Sequence, residues 1–345
     1  MNKYSLETIV ENPLISAKEG VKQFNDYIIK LRNGYIPGIK TPYANLNAAM
    51  INGFPRNTIS CIAAHSGVGK TTLLNNIITN APILNDDLVV LLFTLEMPVK
   101  SLISRVVSSN LKMSVKAMYL DVNEIEIDQK PLDALSELPI YYYEYGGTPD
   151  QIYHYVSEFC KPGAPGWEKN VLLCIDHSLL VDGPSDSEKV NGLAAKLNII
   201  KKKYKSIDGD ENGKNKCCVT TLILSQLNDA MLESRRADKK EFMFPMYQDI
   251  YQGRQIYHIC DVVIALNNPA KYLTSTDDRA YNNLPVLIET DVEIDGKKQK
   301  VKKAIIYAHI IKGRECGTSI QSFIDVLEHN TLIPIIDKKE YKYKI

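Results

Sequence analysis

The chain has 345 residues, of which 45% are hydrophobic and 24% are charged, so it can bury a core and is not expected to be disordered. Its 41 basic residues balance its 41 acidic residues, which argues against a uniformly basic, histone-like binder but allows a locally basic groove. The seven cysteines show no metal-binding or disulfide spacing, and no apolar run is long enough to span a bilayer. These features exclude secreted, collagenous, membrane and disulfide-framework proteins and predict a cytoplasmic globular protein with no membrane partner.

The first 35 residues are expected to form a short helical segment. Apolar residues recur there at spacings of three and four: Val21, Phe24, Ile28 and Leu31. Asn33-Gly34 ends this pattern, and the prolines and glycines that follow predict an irregular connection. We therefore predict an N-terminal helical or linker segment at 1–35 and one large domain at 36–345.

From Thr58 onward, apolar segments of strand length alternate with helical patterns. Strands are expected at 58–64, 88–95, 171–176, 219–225, 261–267, 304–311 and 320–326. Several are continuously apolar, which is typical of parallel strands covered on both faces. A helix is expected over 188–205, and residues 288–303 predict a hairpin that turns at Asp295-Gly296. This alternation predicts an α/β fold with an open, doubly wound and mostly parallel sheet.

The segment AHSGVGKTT (64–72) lies between a predicted strand and a predicted helix, where a phosphate-binding loop is expected. Gly67 and Gly69 let backbone N–H groups turn toward a phosphate, Lys70 can reach the β- and γ-phosphates, and Thr71 offers its hydroxyl to Mg²⁺. The segment predicts a site for ATP with Mg²⁺, whereas the plainer interpretation is a glycine-rich surface turn. Ala64 stands where the consensus has its first glycine. The residues expected around the phosphates are Ala64, Ser66, Gly67, Val68, Gly69, Lys70, Thr71 and Thr72.

Two carboxylates follow predicted strands. Asp176 ends the apolar segment VLLCID and is expected to join Thr71 as a Mg²⁺ ligand, although a capping aspartate would occupy the same place. We interpret the adjacent His177 as a structural neighbour and not as a ligand. Glu96 follows another strand, where a carboxylate can polarise the water that attacks the γ-phosphorus. An acidic residue is also favoured at the start of a helix, so the position of Glu96 alone leaves both interpretations open.

Five segments occur together in the order found in one family: AHSGVGKTT (64–72), FTLEMP (93–98), LLCID (172–176), LILSQLN (222–228) and HIIKGRECGT (309–318). In these motifs the chain resembles the DnaB-type replicative helicases, which are hexameric motors with a RecA-like P-loop NTPase fold. The resemblance covers roughly residues 35–330.

The resemblance implies a role for each matching residue. Glu96 would be the catalytic base beside Lys70, and Gln226 would sense the γ-phosphate and link its hydrolysis to a neighbouring DNA loop. Lys312 and Arg314 would reach from one subunit into the ATP site of the next, with Arg314 as the arginine finger. Positive charge on the transferring phosphoryl oxygens makes this assignment physically reasonable. The plainer interpretation of Arg314 is a surface ion pair with Glu315.

The resemblance places the DNA contacts within the segments near 228–254. The basic stretch SRRADKKE (234–241) suits a channel-facing loop, although a run of charges is usually a solvated face. In DIYQGRQIYHICD (249–261), Tyr251 and Gln252 replace a charged pair of the family. The residues expected to bind DNA are Arg235, Arg236, Lys239, Lys240, Gln252, Gly253 and Arg254. The lysines of 201–205 are interpreted as the solvated side of their helix.

The resemblance implies an ATP-dependent DNA helicase. A ring of identical chains, a hexamer by analogy, would move along single-stranded DNA and unwind duplex during replication, with a separate primase or loader as a candidate partner. Since only about 35 residues precede the motor, we expect a minimal helicase of the kind a phage or mobile element could encode. The alternative is a RecA-like DNA-dependent ATPase that acts in recombination or replication initiation without unwinding. A small-molecule kinase is disfavoured, because Lys312 and Arg314 are more typical of a subunit interface.

Overall fold

The computed structural model describes residues 15–33, 38–120, 129–209, 213–228, 244–252, 254–273, 281, 283–294 and 297–336. The chain divides into two compact units, 1–37 and 38–345. The first unit contains helix α1 (Ala17–Arg32), which confirms a short helical segment at this end of the sequence. Within the described ranges, no helix is both long and apolar enough to cross a membrane.

The second unit alternates helices and strands. Its described helices are α2 (Ala44–Ala49), α3 (Lys70–Leu84), α4 (Val99–Leu111), α5 (Val115–Leu120), α6 (Gln129–Ser136), α7 (Pro149–Phe159), α8 (Asp186–Lys203) and α9 (Arg254–Ile259). Its strands are β1 (Ile59–Ala64), β2 (Leu88–Thr94), β3 (Ile140–Tyr143), β4 (Lys169–Asp176), β5 (Lys205–Ser206), β6 (Cys217–Gln226), β7 (Val262–Asn267), β8 (Leu287–Ile294), β9 (Lys297–Gly313), β10 (Ser319–Val326) and β11 (Thr331–Ile335).

The strands form one 11-stranded sheet in the order β11-β10-β9-β7-β1-β6-β4-β2-β3, with β5 paired to β6 and β8 paired to β9. From β7 to β3 all neighbours are parallel. Strands β9, β10 and β11 extend the sheet in antiparallel fashion. Strands β5 and β8 also pair in antiparallel fashion. The predicted α/β fold with parallel central strands is therefore confirmed, but the sheet as a whole is mixed.

Both faces of the central strands are covered. In β1, Cys61 and Ala63 belong to one buried cluster, whereas Ile62 and Ala64 belong to the other. Helix α3 packs on the second face through Leu73, Leu74, Ile77 and Ile78. Helix α8 packs on the first face through Val190, Leu193, Leu197 and Ile200. This two-sided burial explains why the parallel strands read as continuous apolar runs.

Three strands were not predicted, and each lacks a strong hydrophobic pattern in the sequence. Strand β3 is a half-buried edge strand whose residues do not alternate clearly, β5 has only two residues, and β11 contains Pro334. Proline is tolerated in a sheet mainly at an edge, where β11 lies. The predicted hairpin is present, because Ile294 pairs with Lys297 across the predicted turn, whose two residues lie outside the described part.

His309 of β9 is a buried titratable group within the fold. Its Nε2 atom lies 2.8 Å from the Tyr281 hydroxyl, which itself accepts a hydrogen bond from Asn267 Nδ2 at 2.7 Å. If the Tyr281 hydroxyl donates to His309, Nε2 is the acceptor of this hydrogen bond. Burial lowers the pKa of His309 from 6.5 to about 3.

We expect this histidine to make stability depend on pH. Between about pH 6.5 and 3 the unfolded chain binds a proton that the folded chain does not, so the free energy of unfolding falls as the pH falls, by at most about 1.4 kcal/mol per pH unit. His309→Gln keeps an acceptor but does not titrate, and it should flatten the decline measured by urea unfolding between pH 6.5 and 5. His154→Gln, at an exposed position of α7, is the control and should leave the slope unchanged. Equal slopes for wild type and His309→Gln would contradict this prediction.

Candidate active site

The predicted phosphate-binding loop connects β1 to α3 in the middle of the sheet. Gly67 and Gly69 have φ angles of 71° and 100°, in the left-handed region that favours glycine. A Cβ atom at Gly69 would also lie 2.9 Å from Leu327 Cδ2. Val68 and Thr72 are buried, whereas Ser66 is exposed to the cavity that the loop lines. Both glycines are therefore required by the backbone of the loop.

Thr71 and Asp176 lie side by side below this loop. Thr71 Oγ1 donates to Asp176 Oδ2 at 3.3 Å. The other carboxylate oxygen, Oδ1, is buried and has no hydrogen-bond partner among the described residues. Burial raises the pKa of Asp176 to about 6, although the nearby Lys70 ammonium opposes this shift. A buried carboxylate oxygen without a partner, next to a hydroxyl, is a donor set that fits Mg²⁺.

Glu96 reaches the same cavity from the neighbouring strand. Thr94, the last residue of β2, pairs with Asp176, and Glu96 follows it after Leu95, beyond the end of the strand. The Glu96 side chain is 43% exposed, so its carboxylate meets solvent at the cavity mouth. The cavity measures about 330 Å³ and is shared with the phosphate-binding loop. Glu96 is thus placed where a carboxylate can contact a water molecule beside a bound phosphate.

Lys70 is largely buried at the start of α3. Burial lowers the pKa of Lys70, whereas the carboxylates of Asp176 and Glu96 act against this effect. These carboxylates therefore help to keep the ammonium charged in a site that is partly removed from water. A charged lysine in this position can bind phosphate oxygens.

His177 and Gln226 complete the cluster. Gln226 ends β6 and pairs with Ala64, the residue that precedes the phosphate-binding loop. His177 Nε2 lies 3.3 Å from Gln226 Nε2 and 3.8 Å from Glu96 Oε2. Burial, followed by the charge of Lys70, lowers the pKa of His177 to about 4. The structure therefore brings the predicted phosphate, metal, base and sensor residues to one edge of the sheet, with an uncharged histidine between two of them.

Four side chains of this site lie outside the five motifs and were missed in the sequence. Arg105 of α4, Leu327 and Asn330 also line the cavity. Lys271 donates from its ammonium to the carbonyl of Gly67 in the loop. Only Arg105 had a local signal, because it lies one helical turn after the buried Leu102 and so shares its face. The other three come from distant parts of the chain, and no spacing pattern points to them.

Lys312 and Arg314 lie on the opposite side of the sheet, where the parallel strands begin and not where they end. Lys312 pairs with Val263 near the start of β7, whereas Ala64 of the phosphate site pairs with Leu266 near its end. At about 3.3 Å per residue, the run from Val263 to Leu266 separates the two positions by roughly 10 Å along the strand. Other contacts hold both side chains at that end of the strands, so the structure does not bring either cation to the phosphate site of its own chain.

Asp261 holds Arg314 in place. Arg314 Nη1 lies 2.9 Å from Asp261 Oδ1, and Lys201 Nζ lies 2.7 Å from Asp261 Oδ2. Arg314 thus pairs with Asp261, and Glu315 is not its partner among the described residues. The interpretation of 201–205 as the solvated side of the helix is wrong for Lys201, because this lysine pairs with Asp261. The contact could not be predicted, since the two residues are far apart in the sequence. Lys201, Lys202, Lys205 and Arg314 all line a basic pocket of about 380 Å³.

Lys312 is held by a different set of groups. Its ammonium donates to the carbonyls of Tyr257 and His258 at 2.6 and 3.2 Å and lies 4.7 Å from the centre of the Tyr257 ring. Burial lowers the pKa of Lys312, and the Arg314 charge adds to this effect. The two cations are therefore fixed side by side at this edge by separate contacts.

Two of the predicted DNA-binding residues are described. Gln252 and Arg254 are exposed and line a polar pocket of about 750 Å³ that Asn228 also borders. The pocket adjoins Gln226, because Tyr251 N–H donates to the Gln226 carbonyl at 2.9 Å. The remaining predictions lie outside the described residues: Arg235, Arg236, Lys239, Lys240 and Gly253. The described part of this surface is thus joined directly to the end of β6.

Comparisons with known proteins match this architecture. The family model described as DnaB-like helicase C terminal domain matches residues 38–314. The replicative DNA helicase DnaC of Bacillus subtilis (strain 168) is 26% identical over 275 residues, which are 78% of this chain and 55% of that protein. The chain therefore spans about half the length of this curated relative.

Solved structures agree on the fold. One solved structure, described as an ATPase domain, superposes with a TM-score of 0.70 at 18% identity, covering 94% of this chain and 100% of that one. A DnaB-like replicative helicase, whose structure was described with its interactions with primase, superposes with a TM-score of 0.66 at 18% identity, covering 92% and 66%. Since the family model spans most of the sequence, this chain belongs to the family of DnaB-like helicase C-terminal domains.

Proposed function

We propose that the protein is an ATP-dependent DNA helicase that works as a ring, a hexamer by family analogy, and unwinds duplex DNA during replication. The observation that carries this proposal is the division of the site between two edges of one sheet. The phosphate-binding loop, Asp176, Glu96 and Gln226 meet at one edge, whereas Lys312 and Arg314 are fixed at the other. Membership of the DnaB-like family supports the same conclusion.

Within one chain, the loop and Lys70 would bind the phosphates of ATP, and the Thr71 hydroxyl and Asp176 carboxylate would hold Mg²⁺. When bound, Mg²⁺ would offset negative charge on the phosphate oxygens. The Glu96 carboxylate would orient the attacking water and accept its proton, which its exposed position at the cavity mouth permits. Gln226 would contact the γ-phosphate from the adjacent strand.

A second copy of the chain would complete this site. Arg314 and Lys312 would place positive charge on the transferring phosphoryl group of a neighbouring copy. Their separation from the phosphate site of their own chain supports this arrangement. Hydrolysis would then depend on assembly.

Single-stranded DNA is the proposed substrate of the polar surface beside Gln226. Gln252 and Arg254 would contact its phosphates, together with Arg235, Arg236, Lys239, Lys240 and Gly253. Contacts to phosphate make binding tolerant of sequence and weaker at higher salt. A separate primase or loader remains a candidate partner, because a related structure is described with primase.

Hydrolysis and strand separation together test this function. We expect the purified protein with Mg²⁺ and ATP to release phosphate, the rate to rise on adding single-stranded DNA, and a forked duplex to be separated. A rate of ATP hydrolysis that does not change when DNA is added would contradict the proposal. The forked duplex also distinguishes the second candidate, a RecA-like ATPase, which would hydrolyse ATP on DNA without separating strands. The observation that favours this candidate is the presence of Tyr251 and Gln252 where the family has a charged pair.

A further inference from the structure

His177 is a buried group of the active site to which the chemistry above gives no role. It is 4% exposed and directly follows Asp176 on β4. Its ring extends between two elements and not toward the metal-binding oxygens, because Nε2 lies 3.3 Å from the Gln226 amide and 3.8 Å from Glu96 Oε2. One ring edge thus faces both the proposed base and the proposed sensor.

Hydrogen bonding determines which ring nitrogen carries the proton. Leu179 N–H donates to His177 Nδ1 at 3.3 Å, so Nδ1 is an acceptor. In a neutral imidazole the proton must then be on Nε2. Two N–H groups cannot bond to each other, so we assign the Gln226 amide with its Oε1 atom, and not its Nε2 atom, toward the ring. The hydrogen-bond network decides this orientation. The histidine therefore presents a donor to Gln226 beside the Glu96 carboxylate.

Gln226 is also attached to the proposed DNA surface. Its carbonyl accepts a hydrogen bond from Tyr251 N–H at 2.9 Å, and the next residue, Leu227, pairs with Ile250. Displacement of the segment around Tyr251 would therefore move the end of β6 that carries Gln226. Because His177 lies between Gln226 and Glu96, the same displacement would change the polar surroundings of the Glu96 carboxylate.

We propose that His177 is a positioning residue that couples the DNA surface to the proposed base, because it lies between Gln226, to which its Nε2–H donates, and Glu96, whose carboxylate lies 3.8 Å away. It acts as a fixed donor that sets the distance between them. This inference rests on the proposed function, because it requires hydrolysis that responds to DNA. It replaces the interpretation of His177 as a structural neighbour only.

Two amide variants distinguish the loss of the Nε2 donor from a general loss of local structure. His177→Asn keeps an oxygen near the place of Nδ1, so Leu179 N–H retains an acceptor, but it removes the donor at Nε2. His177→Gln places an amide N–H near Nε2 and loses the acceptor for Leu179. We expect the Asn variant to lose about 10-fold of the DNA-stimulated kcat, as is usual for a supporting contact, while the KM for ATP stays near wild type. The Gln variant should restore most of the stimulation.

The measurement is steady-state ATP hydrolysis with and without single-stranded DNA, alongside thermal unfolding of each variant. A raised KM for ATP, or equal loss of basal and stimulated rates in the Asn variant, would overturn the positioning role and indicate a structural one. If the Asn variant does not fold, a folded Gln variant without DNA stimulation overturns the proposal equally. A wild-type protein that DNA does not stimulate would refute the proposed function itself, whereas normal stimulation in both wild type and His177→Asn refutes only this inference.

Discussion

Arg314→Ala is expected to lower the ATP hydrolysis rate of the assembled protein by about 10³-fold, the lower end of the range known for arginine fingers. The fold should survive this change, because Asp261 keeps two other partners, Lys201 and the backbone N–H of Ile59 at 3.0 Å. ATP binding should persist, since the phosphate-binding loop lies at the opposite edge of the sheet. Phosphate release at saturating ATP and DNA measures the effect.

Mixing experiments identify the copy on which Arg314 acts. Arg314→Ala and Lys70→Ala should each be inactive alone, because one lacks the finger and the other lacks the phosphate ligand. In an equal mixture, random assembly leaves about a quarter of the interfaces with one intact loop facing one intact finger, so hydrolysis should recover toward that fraction. Lys202→Ala, which removes another cation of the same basic pocket, is the matched control and should remain active. No recovery in the mixture would argue that Arg314 serves its own chain.

Glu96→Gln should lower kcat by about 10²–10⁴-fold, which is the usual contribution of a general base. The substitution preserves the shape of the side chain and removes only its ability to accept the proton of the attacking water. ATP affinity should stay close to wild type, because Lys70 and the loop are unchanged. Single-turnover hydrolysis and the binding of a fluorescent ATP analogue measure the two quantities separately.

A matched carboxylate tests the specificity of this effect. Glu158→Gln removes an exposed carboxylate of α7 that pairs with Lys161, far from the cavity in sequence and fold, and should leave kcat unchanged. If Glu96→Gln kept a kcat within about threefold of wild type, Glu96 would not be the base, since general bases contribute much more. The helix-start interpretation of Glu96 would then be preferred.

The grouping of the central residues could be predicted because each follows an apolar strand. Asp176 and Gln226 are the last residues of parallel strands, and Thr71 and Glu96 lie in the segments that follow two others; the carboxyl ends of parallel strands share one edge. Strong, continuous apolar patterns made those strands recognisable. The sequence could therefore predict which side chains lie together at the carboxyl ends of the parallel strands.

Contacts between distant segments could not be predicted in the same way. Leu327 closes over Gly69, and Lys271 reaches the Gly67 carbonyl, from positions more than 200 residues away in the chain. Such contacts depend on how the antiparallel strands β9, β10 and β11 pack beside the parallel ones. Strand β11 contains a proline and was not recognised from its sequence. The pairing of Lys201 with Asp261 was hidden for the same reason, because charge alone does not show which partner a lysine meets.

The two proposed half-sites lie at opposite ends of the parallel strands, which bears on how copies of the chain would assemble. An open head-to-tail row of copies would leave one loop and one arginine unmatched at its two ends. If the row closes into a circle, the Arg314 end of every chain meets the loop end of the next, and every proposed half-site is matched. In such a circle, a chain that lacks both Lys70 and Arg314 impairs two catalytic sites, its own and its neighbour's, so a small fraction of such copies should lower turnover about twice as much as its abundance.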